Sequence, residues 1–179
     1  DPVVYVKQYH RSTVTEIVVP HQVRTIHKRK FKNCKKLVTV ILPKLLRVID
    51  EDAFSGCISL CSTDGTLVIP PNCEMICNSS FAGCSSIRRL VIPPSVLLIG
   101  DRAFDECINL EDVLIPPSTV IDNDAFYNCR ILRALARSRN QTIVRFIRDR
   151  YIRYSTTIQY RYTVLMSIAN INNSEIKAR

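Results

Sequence analysis

The chain has 179 residues, 46% of them hydrophobic, with 25 Lys/Arg against 16 Asp/Glu, 4 Gly and 8 Cys. That suits one ordinary folded domain and excludes natural disorder and a collagen-type fibre. No run of about 18 apolar residues occurs, so no transmembrane segment is read, and the excess charge is concentrated at one end, where residues 133–179 hold 10 Lys/Arg against Asp149 and Glu175.

Residues 1–13 read as an N-terminal cap. Beyond them a unit recurs. A short aliphatic run ends in proline at Pro20, Pro43, Pro70, Pro93 and Pro116, with spacings of 23, 27, 23 and 23 residues. Val and Ile favour the pleat and Pro cannot donate to a ladder, so each run is a strand ended by its proline. Aliphatics three and six residues later (Val23 and Ile26, Leu46 and Ile49, Val96 and Ile99) point inward from a second extended stretch. Eleven residues after the proline, or ten in the last copy, come Phe31, Phe54, Phe81, Phe104 and Phe126. Three past each Phe stand Cys34, Cys57, Cys84, Cys107 and Cys129, and six past it Leu37, Leu60, Ile87, Leu110 and Leu132. Apolar residues at this spacing suggest a short helical turn. One such unit buries little alone, so the units stack and share a core. The four extra residues near 61–65 are expected to bulge as a loop between the second and third units.

The stretch Val91-Ile92-Pro93-Pro94-Ser95-Val96-Leu97-Leu98-Ile99-Gly100-Asp101-Arg102-Ala103-Phe104-Asp105-Glu106-Cys107 resembles the BspA-like leucine-rich repeats, and the likeness runs over about residues 14–136. It implies a right-handed leucine-rich-repeat solenoid, α/β in class with β dominant. Five full units of 22–27 residues and a sixth strand over 132–136 would form a short parallel sheet, closed by a partly helical C-terminal cap. It also implies a recognition module, often found on bacterial or protist cell surfaces, with no catalytic motif residue. Gly100 alone fills the glycine site of the motif; His27, Asp50, Cys77 and Asp122 stand near it elsewhere.

Five cysteines at one place in the repeat predict a column of small buried groups. Cys57 and Cys61 with Cys73 and Cys77 have a spacing that invites zinc. Against that, Cys73 stands where Val23, Leu46 and Val96 form the core, and stacking separates it from Cys57. No metal and no cofactor are expected. Unpaired repeat thiols favour an intracellular setting. His10, His21 and His27 accompany no nucleophile motif, and no phosphate loop appears, so no enzyme is read here. The Asp50-Glu51-Asp52 run is expected to be a solvated helix start, and the cluster Lys28, Arg29, Lys30, Lys32, Lys35 and Lys36 a solvated face.

Alternation along a strand puts the residues one and three before each proline inside and the one between them outside. Val18, Ile41, Val68, Val91 and Leu114 then form an apolar stripe, with Glu16, Thr39, Thr66, Arg89 and Asp112 as a polar column beside it. These ten are the candidate partner-binding residues. In the basic C-terminal segment, 137–179, Ile143, Val144, Phe146, Ile147 and Tyr151 fall on one helical arc, and strand-like alternation follows over 152–164. The function expected is a non-catalytic protein–protein recognition or scaffold module. The alternative is a scaffold whose tail binds nucleic acid or an anionic surface through Arg145, Arg148, Arg153 and Arg161, with Tyr154, Tyr160 and Tyr162 stacking on bases.

Overall fold

Each repeat makes one triangular coil, and its residues dictate the corners. In the computed structural model, which describes residues 10–129 except 62, 117 and 123, the first strand of every coil stops at its proline. The proline carbonyl then accepts the N–H three residues on, in Val23, Leu46, Cys73, Val96 and Thr119, at 3.0–3.2 Å, and this turns the chain. The first side holds β1 (Glu16–Val18), β3 (Thr39–Ile41), β5 (Thr66–Val68), β7 (Arg89–Val91) and β9 (Asp112–Leu114). The second holds β2 (Thr25–Ile26), β4 (Val48–Ile49), β6 (Met75–Ile76), β8 (Leu98–Ile99) and β10 (Val120–Ile121). All pairings are parallel, as coils of one hand stacked in register require. The second extended stretch is therefore a sheet in its own right, five strands wide, and the fold has two sheet faces rather than the single short sheet expected.

The third side corrects the expected helical turn: among the described residues there is no α-helix. Successive turns close instead by three-residue steps, such as Ala53 N–H to Asp50 O, Cys57 N–H to Phe54 O and Leu60 N–H to Cys57 O, each 3.0–3.1 Å. A left-handed residue two before Phe (Arg29, Asp52, Ser79, Arg102) and another two after it (Asn33, Gly56, Gly83, Glu106, Asn128) interrupt any helical continuation. That backbone also aims the N–H along the stack. Asn33, Gly56 and Gly83 donate to the next coil's Ser55, Ala82 and Asp105 carbonyls at 2.7 Å, so the turn side is a hydrogen-bonded ladder too.

The core runs through all five coils. Phe31, Phe54, Phe81, Phe104 and Phe126 stack at centroid spacings of 5.1–5.3 Å. The cysteine column lies beside them, buried as expected, and all eight cysteines are free thiols. Cys73 occupies the core place read for it. The helical cap expected over 137–179 lies outside the described residues.

The long second repeat breaks only one face. Cys61 N–H still reaches Val38 O at 3.1 Å, after which the chain leaves the register. Asp64 restarts it by accepting from Thr66 N–H (3.0 Å) and Thr66 Oγ1 (2.8 Å). β3 and β5 consequently do not pair: the first face divides into β1-β3 and β5-β7-β9, while the second face passes the same level unbroken.

Candidate functional site

The strand pleat places the candidate stripe as expected. Val18, Ile41, Val68 and Leu114 are 57%, 51%, 61% and 60% exposed, whereas Val91 is half-buried. Pairing aligns Val18 with Ile41, and Val68 with Val91 and Leu114. The polar column is in register beside it: Glu16 against Thr39, and Thr66 against Arg89 and Asp112. Arg89 Nε lies 3.7 Å from Asp112 Oδ2, a half-exposed pair of small energetic weight that orients both ends. The break between β3 and β5 therefore cuts the ten residues into a group of four and a group of six.

That break is the feature the sequence reading missed. Between the two edges lies an open groove of about 470 Å³, lined by Val38, Val40, Leu42, Leu60, Thr66 and Val68 among others. Val40 and Leu42 are only half-buried there, although their equivalents, Ile17, Leu67, Leu90 and Val113, and Val19, Ile69, Ile92 and Ile115, are all buried. The insertion thus uncovers core positions of one coil and leaves two strand edges facing each other. Unpaired strand edges and half-open apolar positions are what an extended peptide can satisfy.

The acidic run at 50–52 has another role from the one expected. Lys28 Nζ contacts Glu51 at 2.8 Å, and Asp52 receives Arg29 Nε at 3.2 Å and Lys32 Nζ at 2.9 Å. Burial pushes the Asp52 carboxyl up, but hydrogen bonds from Lys32 and Arg29 outweigh it and hold the group below the usual carboxylate range. The basic cluster of the first coil is therefore partly neutralised by the second rather than wholly solvated. Val120, 60% exposed, lies on the second sheet face in β10, and Leu97, equally exposed, stands just before β8; neither was read from the sequence. Arg145, Arg148, Arg153 and Arg161 fall outside the described residues. Among those described, no helix is long and apolar enough to cross a membrane.

The BspA-type leucine-rich repeat region model matches residues 4–133 in 6 copies, so residues 4–13, read above as a cap, fall within the matched region. A leucine-rich repeat protein from Bacteroides ovatus of known structure is 36% identical, over 65% of this chain and 29% of its own, with a TM-score of 0.58. The T. pallidum leucine-rich repeat protein is 28% identical, over 65% of this chain and 57% of its own, with a TM-score of 0.53. The chain therefore spans less than two thirds of either relative's length. A search of curated proteins found no match. The proline-ended strands, the stacked Phe rings and the family match over most of the chain agree: the chain belongs to the BspA-type leucine-rich repeat family.

Proposed function

We propose that the chain is a protein-recognition module whose docking surface is the first sheet face, with the apolar stripe as contact area and the groove between β3 and β5 as anchor point. Proteins of this family are generally non-catalytic interaction scaffolds, which supports the class of function. The observation that carries the choice of face is the set of four aliphatics more than half exposed at one register position. Exposed strand aliphatics held in line by a rigid sheet lose little entropy on binding, and the polar column from Glu16 to Asp112 supplies selectivity at their flank. We assign residues 137–179 to capping the last coil, since a solenoid's terminal core layer needs cover.

The test is a double variant, Val68→Lys with Leu114→Lys, used with the wild type in quantitative affinity capture. Both side chains point to solvent, so the melting temperature is expected to stay within about 3 °C. A bound protein should be lost at least tenfold from the variant. Equal retention on both would refute the assignment of the face.

A further inference from the structure

The charge of the described solenoid is divided along its axis. Residues 10–60 carry 10 Lys/Arg against 4 Asp/Glu, a net of +6, and residues 61–129 carry 3 against 9, a net of −6. Because the turn ladder stacks the coils in register, the two signs appear on one side of the molecule. Coil 1 presents Lys28, Lys32, Lys35 and Lys36; coil 4 presents Asp101, Asp105 and Glu106. Between them, coils 2 and 3 place the small residues Ser55, Gly56, Ala82 and Gly83 in the columns of Lys32 and Glu106, and Glu51 and Asn78 in the column of Lys28 and Asp101. Asp105 Oδ1 is enclosed with no hydrogen-bond partner among the described residues. Burial first, and then the neighbouring Glu106 charge, push its carboxyl up against the opposing pull of Arg102 and a hydrogen bond from the Glu106 backbone.

A two-fold axis running across this side between coils 2 and 3 reverses the coil order and returns each column to itself. Lys28 of one copy then falls opposite Asp101 of the other, and Lys32 opposite Asp105, with Lys35 and Lys36 beside Glu106. Arg29 and Arg102 also meet, but each is engaged within its own copy, Arg29 with Asp52 and Arg102 over the Tyr127 ring. Lys28 and Lys32 likewise contact Glu51 and Asp52 of their own copy, which leaves Lys35 and Lys36 as the cations of this side of coil 1 with no ion pair among the described residues. We propose that this turn side pairs two copies of the chain antiparallel, the basic first coil of each against the acidic fourth coil of the other. It is a different surface from the sheet face assigned to a partner, so both can be occupied together. Five coils at about 5 Å make a side only about 25 Å high, and few charges face each other across it. The pairing is accordingly weak and driven by charge.

Sedimentation equilibrium of the full chain at about 100 µM should give a dimer at about 20 mM salt and a monomer at about 500 mM, where the Debye length falls well below 10 Å. Two exposed charge reversals separate this from other causes. Lys35→Glu with Lys36→Glu lowers the net charge of residues 10–60 from +6 to +2, and Asp101→Lys with Glu106→Lys changes that of residues 61–129 from −6 to −2. Each alone should be monomeric at low salt with a near wild-type melting temperature, and an equimolar mixture should recover a one-to-one dimer. A wild-type monomer at low salt, a dimer that either reversal leaves intact, or a mixture that stays monomeric would overturn the proposal. Docking of the chain's own basic tail on the acidic coils would give the first of these results.

Discussion

The thiol of Cys84 donates to the Phe54 carbonyl of the preceding coil at 3.3 Å, and Cys57, Cys107 and Cys129 do the same to Phe31, Phe81 and Phe104 at 2.9–3.3 Å. The repeat spacing made the burial of this column legible, because five thiols at one place can only share one environment. The hydrogen bond was not legible, since the acceptor belongs to a residue 25–30 positions away and becomes a neighbour only through stacking. For Cys84→Ser it means that the hydroxyl finds an acceptor in place. Urea melts should rank Cys84→Ala lowest, about 1–2 kcal/mol below wild type, with Cys84→Ser between them. A serine variant weaker than the alanine one would mean that the contact contributes nothing. Burial also pushes the Cys57 and Cys73 thiols up to about 12, and those of Cys84 and Cys107 well above the ordinary value. A folded-state pKa above the unfolded one gives stability that is complete below the unfolded value, about 8.5, and is lost as pH rises through the folded one. Unfolding followed by circular dichroism should therefore show stability level to about pH 8, then falling by about 1.4 kcal/mol per unit for each such thiol up to about pH 12. Replacing Cys84 by Val should reduce that slope by one proton; a slope unchanged by the replacement would contradict the assignment.

Among the elements, the first strands were readable from their prolines, and the loop at 61–65 from the 27-residue spacing. Its consequence was not. The insertion lies after Leu60, between the turn side and the next first strand, so it displaces β5 while leaving β4 and β6 in register. The helical turn was misread because apolar spacing by three fits a run of tight turns equally well. Asn33, Gly56, Gly83 and Asn128 are residue types that accept left-handed backbone, and they marked the interruption; Arg29, Ser79, Arg102 and Glu106 gave no such signal. Deleting residues 62–65 would leave Cys61 followed by Thr66, the length of the other joints. The deletion should pair β5 with β3, bury Val40 and Leu42, and raise the melting temperature by about 4–8 °C. It should also abolish any partner contact anchored in the groove. A lower melting temperature would show that the break is imposed by something other than the extra residues.

For the molecule as a whole, one coil repeated five times fixes which side chains reach the surface together, and this made the stripe of Val18, Ile41, Val68, Val91 and Leu114 legible in the sequence, though not that Val91 is half-buried. The division of charge between residues 10–60 and 61–129 is equally present in the sequence, yet only the stacking shows that Lys32 and Asp105 share a column. Val68 and Val120 offer a direct test of the recognition surface, being 61% and 60% exposed on the first and second sheet faces. A photo-crosslinking residue placed at each position in turn, irradiated in the native extract and resolved by mass, reports which face meets a protein. Our account predicts a discrete protein adduct from position 68 and none from position 120. An adduct from position 120 with none from 68 would contradict it.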